Sequence, residues 1–288
     1  MPFKPVEPFR VPVATKPGVP DRAFKLNLAT DARDAKLDKA AAKAKTKEHV
    51  EELRELQNVF YADGSKSLLV LLQAIDAGGK DSTIRRCFGN LNPQGVRVWS
   101  FKQPTDLEKS HDFLWRHHER CPAGGMISIH NRSHYEAVLV ERVKGLVPET
   151  VWSKRYEQIV HFESMLAAEG TIVLKIFLNL SPDEQADRFQ DRLNDPTKWW
   201  KFSASDLDER ERWHDYQAAF SDAVSATSTE AAPWFAIPAD QKWYRDYLVT
   251  GLVRDTLRSA RSQYPSPAEG LAEEVEGFRT RLAKPLEA

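Results

Sequence analysis

The residues whose types and spacing are most informative for chemistry lie at 72–86, Leu-Gln-Ala-Ile-Asp-Ala-Gly-Gly-Lys-Asp-Ser-Thr-Ile-Arg-Arg. An apolar run ends in paired glycines and Lys80, and a helix-like segment follows. Glycines let backbone N–H groups wrap an anion, a helix N-terminus adds partial positive charge, and a lysine supplies a mobile cation. The spacing therefore predicts a phosphate-binding loop.

This loop departs from the standard nucleotide loop at two positions. Ala74 stands six residues before Lys80, where the first glycine is usual, and Asp81 follows the lysine where Ser or Thr normally meets magnesium. An isolated Gly-Gly-Lys could be an ordinary turn. The strand before it and the helix after it favour phosphate binding.

The elements that must position the loop alternate between short apolar strands and helices, which predicts an α/β fold with a mostly parallel sheet flanked by helices. The predicted strands are 67–75, 96–101, 126–130, 171–178 and 234–237. The predicted helices are 30–61, 80–91, 106–120, 134–144, 154–169, one that starts at the capping Ser181, and 241–261. We expect a Pro-rich arm at 1–28, a catalytic domain at 29–265 with a lid at about 183–215, and a tail at 266–288.

One basic run outside the loop has two possible interpretations. The run 39–47 carries several lysines on a predicted helix. It could attract phosphate, but a solvated helix face is the favoured interpretation.

Four blocks in order along the chain resemble the polyphosphate kinase 2 family. They are Asp-Ala-Gly-Gly-Lys at 76–80, Ile-His-Asn-Arg-Ser-His-Tyr-Glu at 129–136, the lid segment 188–206 with Pro-Thr-Lys-Trp-Trp-Lys-Phe-Ser at 196–203, and Trp-His-Asp-Tyr-Gln-Ala at 213–218. Many members carry Asp where this chain has Asn131. The block 131–136 resembles the subgroup usually called class III, whose members phosphorylate both nucleoside mono- and diphosphates from polyphosphate.

The resemblance implies a P-loop kinase-like fold with a helical lid, and magnesium-dependent phosphoryl transfer from polyphosphate to AMP and ADP, and in reverse. Such transfer needs alignment and charge neutralisation more than covalent chemistry. The catalytic candidates are Asp76, Lys80 and Arg132, with Asp76 and Glu136 as the candidate metal ligands. The phosphate and nucleotide candidates are Ala77, Gly78, Gly79, Lys80, Asp81, Ser82, Arg85, Arg86, Asn131 and Arg132, and the lid candidates for polyphosphate are Arg188, Arg192, Lys198 and Lys201.

Two other functions stay open on the residues alone. A nucleoside monophosphate kinase with ATP as donor would carry the standard loop residues that Ala74 and Asp81 replace. A catalytically silent nucleotide-binding module is supported only by Asn131. Within the lid, Trp199 and Trp200 could stack on a base, but packing inside the lid is the favoured expectation.

Composition limits the partners. The 288 residues carry 41 basic and 42 acidic side chains, a net charge of -1, and only two cysteines. A balanced total does not exclude a basic cleft, because acids such as those at 269–276 lie far along the chain. We expect a cytoplasmic homo-oligomer, a dimer or tetramer, that binds polyphosphate and AMP, ADP or ATP, with no nucleic acid and no membrane.

Overall fold

The computed structural model describes residues 3–26, 29–32 and 37–284, and its centre is one five-stranded sheet. The strands are β1 (Ser67–Gln73), β2 (Val96–Ser100), β3 (Ile127–Asn131), β4 (Thr171–Asn179) and β5 (Trp234–Pro238). All neighbouring strands are parallel, in the order β2-β3-β1-β4-β5. The predicted α/β class and the mostly parallel sheet are therefore confirmed.

The sheet is flanked by helices, as a parallel sheet requires. The helices are α1 (Lys39–Asp63), α2 (Lys80–Phe88), α3 (Asp106–Lys109), α4 (Trp115–His118), α5 (Val140–Val143), α6 (Glu149–Ala168), α7 (Pro182–Leu193), α8 (Ser205–Glu211), α9 (Trp213–Thr227), α10 (Lys242–Ala260) and α11 (Leu271–Leu282). Short 3-10 helices occur at Lys4–Phe9, Pro93–Gly95, His134–Ala137 and Pro196–Lys201. In the described part of the chain, no helix is long and apolar enough to cross a bilayer.

The register of the sheet sets the position of the loop residues. All seven residues of β1 are buried, and Leu72 lies opposite Asn131 of β3. Because both strands run in the same direction, the segments that follow them leave the same edge of the sheet. The loop after β1 and the turn after β3 are thereby brought side by side.

Two helices that were predicted to be continuous are each divided into two shorter elements. The predicted helix 106–120 is split into α3 and α4, because the Asp112 carboxylate accepts hydrogen bonds from the backbone N–H groups of Leu114 and Trp115 and starts a new turn. The predicted helix 134–144 is split into a 3-10 turn and α5. There Tyr135 is drawn into the core, where its hydroxyl donates to Glu163 at 2.8 Å.

The N-terminal residues pack on their own chain along β5. Val11 N–H donates to Trp234 O at 2.8 Å, and Val6 and Phe9 are buried in the core. Residues 1–2, 27–28 and 285–288 of the predicted arm and tail lie outside the described residues, as does the 33–36 part of the predicted helix 30–61.

Candidate active site

The loop after β1 is shaped by two backbone positions in the left-handed region. Ala77 has φ of 60° and Gly79 has φ of 96°, and α2 begins directly afterwards at Lys80. A non-glycine residue in this region is uncommon and strained. The loop is held in this form by its surroundings, as described below.

Both glycines of the loop are sterically required. A Cβ at Gly78 would lie 2.5 Å from Ala74 Cβ, and a Cβ at Gly79 would lie 2.4 Å from the Arg245 Nη1 atom. Gly79 combines this crowding with a positive φ, so it is the position least able to accept a side chain.

Lys80 lies at the start of α2 with its ammonium turned back into the loop. Its Nζ donates to Ala74 O at 2.8 Å. Burial, and to a lesser extent the nearby positive charge of Arg132, lower the pKa of Lys80 to about 8, while Asp76 opposes the shift. A bound phosphate would favour the charged form of this ammonium.

Asp76 and Arg132 form an ion pair at the mouth of the loop. Arg132 Nη2 donates to Asp76 Oδ1 at 3.0 Å, and its Nη1 lies 3.9 Å from Glu136 Oε2. Arg132 also has a positive φ of 63°, held where its backbone N–H donates to Leu72 O at 3.1 Å. A strained arginine between two carboxylates is the arrangement expected of a functional residue.

Two of the three residues that depart from the usual patterns, Asp81 and Asn131, contact each other. Asn131 Nδ2 donates to Asp81 Oδ1 at 2.7 Å. Asp81 of the loop therefore places a carboxylate next to position 131, where this chain has an amide. Glu136 lies on the other side of Arg132, and burial raises its pKa.

The loop opens into a cavity of about 680 Å³, the main cleft. Its walls bring together the loop and residues from strand ends and the lid: Asp76, Ala77, Gly78, Gly79, Lys80, Asp81, Ser82, Ser100, Phe101, Lys102, Gln103, Asn131, Arg132, Arg188, Asp191, Arg192, Lys198, Trp200, Lys201, Asp206 and Lys242. Most of the residues predicted from the sequence line this one cavity. Its lining has eight cationic side chains and four carboxylates, so it is suited to a polyanion.

A smaller cavity of about 200 Å³, the inner cavity, joins the main cleft at Asp76, Arg132 and Asp206, which line both. Part of its lining is apolar and aromatic, formed by Leu139, Val140, Trp213, Tyr216 and Phe220, and the rest includes the polar side chains of Lys144, Gln185, Ser205 and Glu209. Glu136 lines the inner cavity and not the main cleft. A flat, apolar ring with a charged tail fits such a cavity, with the tail toward Arg132.

Three of the predicted lid cations line the main cleft and contact other residues of the lid. Arg192 donates to Lys201 O at 3.1 Å, Lys198 pairs with Asp195 at 2.9 Å, and Lys201 lies 4.8 Å from the centre of the Trp200 ring. The expectation that the tryptophans pack inside the lid is wrong: Trp199 is 57% exposed and Trp200 77% exposed.

The fourth predicted lid cation, Arg188, is buried, whereas the sequence predicted a side chain that contacts polyphosphate. Its side chain is 7% exposed, with Nε donating to Glu184, Nη1 to Ala77 O at 2.9 Å and Nη2 to Ala239 O at 2.5 Å. Because its donors are directed at carbonyls of the loop and of the segment after β5, Arg188 supports the loop from behind. Arg188 also lines the wall of the main cleft.

Arg85 and Arg86 are not brought into the main cleft. Both are exposed in the last turn of α2, and Arg86 Nε lies 3.5 Å from Asp246 Oδ2. Arg86 lines a separate cavity, described below.

Sequence reasoning missed three residues at this site. Lys102 and Lys242 line the main cleft after the carboxyl ends of β2 and β5, and the rule that ligands bind at those ends would have pointed to both. Arg245 carried no such signal. It is fully buried in α10, it pairs with Asp246 at 2.6 Å, and its Nη1 is buried without a hydrogen-bond partner among the described residues, next to Gly79.

The carboxylates fit magnesium better than a metal with an all-protein cage. Within the described ranges no three His, Cys, Asp or Glu side chains cluster closely enough to hold a metal. Magnesium commonly uses one or two carboxylates with water and substrate phosphates as its other ligands. Asp76, at the junction of the cavities, and Glu136, whose raised pKa reflects incomplete compensation of its charge, suit that role.

Comparison with known proteins connects this geometry to a family. The family described as Polyphosphate kinase 2 matches residues 36–265. A crystal structure titled Polyphosphate Kinase 2 from Arthrobacter aurescens TC1 superposes with a TM-score of 0.85 at 39% identity, covering 93% of this chain and 99% of that one.

Two curated relatives are similar to this chain in sequence. The AMP/ADP-polyphosphate phosphotransferase of Meiothermus ruber is 54% identical over 215 residues, 75% of this chain and 80% of the relative. The ADP-polyphosphate phosphotransferase of Rhodopseudomonas palustris is 42% identical over 247 residues, 82% of this chain and 86% of the relative.

Proposed function

The chain belongs to the polyphosphate kinase 2 family, and from its site we propose that it transfers phosphoryl groups between inorganic polyphosphate and nucleotides, with AMP and ADP as acceptors. One observation carries this proposal. Asp76 and Arg132 line both a wide basic cleft and a small, partly aromatic cavity. Two different phosphate-bearing substrates can therefore meet at the same pair of side chains.

The two substrates are assigned by the chemistry of the walls. The main cleft takes the polyphosphate chain, whose end lies against the loop amides and Lys80. The inner cavity takes the nucleoside, with its base against the aromatic part of the lining and its phosphate toward Arg132. The lid cations close over the chain and exclude water, which would otherwise hydrolyse the donor.

In the reaction, a terminal oxygen of the nucleotide phosphate attacks the terminal phosphorus of the chain. The phosphoanhydride bond behind that phosphorus breaks, and polyphosphate leaves one unit shorter. Lys80 and the loop hold the transferring group, while Arg132 neutralises its charge. Asp76, paired with Arg132 in the free protein, orients the attacking phosphate.

We assign magnesium to Asp76, with Glu136 as the second candidate ligand. A bound magnesium ion would neutralise charge on the phosphates that meet at this junction. Glu136→Gln should weaken the response to magnesium, both in turnover and in the affinity for Mn²⁺ measured by electron paramagnetic resonance. Unchanged Mn²⁺ affinity would remove Glu136 from the metal site.

A single assay tests the function. Purified protein and Mg²⁺ are incubated with AMP and either long-chain polyphosphate or ATP, and the nucleotides are resolved. We expect ADP and ATP to form with polyphosphate. Turnover with ATP alone would instead identify a nucleoside monophosphate kinase, and turnover with neither donor would indicate a silent nucleotide-binding module.

The place of the nucleoside has its own test. Trp213→Leu removes an aromatic ring from the inner cavity without touching the main cleft. We expect the KM for AMP to rise by about an order of magnitude while the KM for polyphosphate stays the same, since base stacking contributes about 1–3 kcal/mol. A rise confined to the KM for polyphosphate would reverse the assignment of the cavities.

The remaining parts of the proposal concern organisation and compartment. We assign the catalytic domain to 29–265 with its lid at about 183–215, and propose a cytoplasmic homo-oligomer, a dimer or tetramer. The free thiols of Cys87 and Cys121 suit a reducing compartment. Light scattering after gel filtration would measure the subunit number, and a monomeric mass would contradict the oligomer.

A further inference from the structure

A second basic cavity lies beside the main cleft, between α1, α2 and the start of α10. This side cavity has a volume of about 680 Å³. It is lined by Lys39, Lys43, Thr46, Lys47, Arg86, Glu184, Asp240, Lys242, Trp243 and Asp246. None of the catalytic residues assigned above lies in it.

The side cavity adjoins the main cleft. Lys242 lines both cavities. Helix α2 starts in the main cleft at Lys80, and six residues later Arg86 lines the side cavity. At 1.5 Å per residue this is an advance of about 9 Å along the helix.

Of the five cations that line the side cavity, Arg86 lies 3.5 Å from Asp246, and the other four are lysines. Lys39, Lys43, Lys47 and Lys242 are exposed and form no ion pair among the described residues. The three lysines of α1 follow one another at intervals of four and so share one broad face of about 12 Å.

The three acidic side chains of the side cavity all have partners outside it, and Asp246 also lies 3.5 Å from Arg86. Asp246 is paired with Arg245 at 2.6 Å, and Glu184 is paired with Arg188 at 2.7 Å. Asp240 accepts a hydrogen bond from Ser181 N–H at 2.8 Å. The lysines therefore dominate the field in the open space.

We propose that the side cavity binds the distal part of a long polyphosphate chain whose reacting end lies in the main cleft. This inference rests on the proposed function. Lysine ammonium groups on flexible stems are point charges, suited to follow a chain of repeating phosphates without fixing its register. A chain that advances one unit per turnover needs this kind of contact.

The proposal makes the site selective for chain length. A long chain reaches the lysines of α1 and gains their attraction, whereas tripolyphosphate is confined to the main cleft and gains nothing from them. The difference should shrink as salt screens the exposed charges.

The test is the triple variant Lys39→Ala, Lys43→Ala, Lys47→Ala, with Lys45→Ala as the matched control. Lys45 lies on the same helix but pairs with Glu48 at 2.8 Å and does not line the cavity. Alanine is the best helix former, so α1 should be preserved. The dissociation constants of long-chain polyphosphate and of tripolyphosphate are measured by calorimetry, and the kcat and KM for long chains with AMP by nucleotide assay.

We expect the triple variant to weaken long-chain binding and raise the long-chain KM on the order of tenfold, with kcat and tripolyphosphate binding unchanged. The control should match the wild type. Equal losses for both chain lengths, or none for either, would overturn the proposal. Failure of the proposed function is distinct: the wild type would then lack turnover, whatever calorimetry gives for the two chain lengths.

Discussion

Arginine is used differently on the two sides of the phosphate loop. On the cleft side, 40% of the Arg132 side chain is exposed, and its guanidinium shares two carboxylates at 3.0 and 3.9 Å. Behind the loop, 7% of the Arg188 side chain is exposed and none of Arg245, and Arg188 donates to backbone carbonyls. Open space beside the guanidinium, not the residue type, separates an arginine that can meet substrate from one that supports the loop.

The two sides also differ in the cost of losing them. A half-exposed pair such as Asp76–Arg132 contributes at most about 1 kcal/mol to stability. Removal of Arg188 would leave two buried carbonyls without their donors, and each unsatisfied group costs about 1–3 kcal/mol. Changes on the cleft side should therefore lower turnover, and changes behind the loop should lower stability as well.

The largest effect is expected on the cleft side from Lys80→Ala and from Asp76→Asn. Each should lower kcat with polyphosphate and AMP by at least 10²–10³-fold, roughly the effect of losing one preorganised electrostatic contact. The thermal midpoint should change little. Turnover within a few-fold of wild type in either variant would remove that residue from the mechanism.

Gly79→Ala tests the contact between the two sides. Its Cβ would lie 2.4 Å from Arg245 Nη1 at a φ of 96°, so we expect a loss of about 1–3 kcal/mol in the free energy of unfolding together with a large fall in kcat. Gly277→Ala is the control, since nothing lies within 4 Å of its Cβ and it is in helix α11. That variant should be neutral or slightly more stable. Equal stability of the two variants would contradict the crowding behind the loop.

A direct comparison of the two sides pairs Arg188→Met with Arg132→Met. We expect Arg188→Met to cost about 2–4 kcal/mol of unfolding free energy in urea denaturation. Arg132→Met should cost less than about 1 kcal/mol and act mainly on kcat. The reverse order of stabilities would show that the ion pair at the cleft, and not the support behind the loop, stabilises the fold.

The smallest effect is a pH dependence of polyphosphate binding. The pKa of Lys80 is lowered to about 8, so its ammonium is charged below that pH and neutral above it. Affinity for polyphosphate in the free protein should therefore fall several-fold as pH rises through 8, and the fall should be absent in Lys80→Met. Bound phosphate raises this pKa again, so kcat should decline only at higher pH. An affinity that is flat from pH 7 to 9 in the wild type would contradict the lowered pKa of Lys80.

Much of the front of the site could be predicted from residues 72–86 and 129–136, because a strand, a glycine pair and a lysine are adjacent in sequence and act locally. The resemblance of the ordered blocks supplied the family, and the comparisons confirmed it. The predicted roles of Asp76, Lys80, Arg132 and Glu136 stay predictions. The continuous helices at 106–120 and 134–144 were wrong, because an Asp cap and the burial of Tyr135 outweigh helical propensity there.

The sequence by itself determined the phosphate loop, the parallel α/β sheet and the family, since each rests on short-range patterns of glycine, apolar residues and spacing. Only the tertiary structure decided which cations face open space. Arg188 was expected to act from the lid and is held behind the loop, while the lysines of α1, for which a solvated helix face was favoured, line the side cavity. The physical reason is that charge acts through distance and burial, and both are set by which helices pack together.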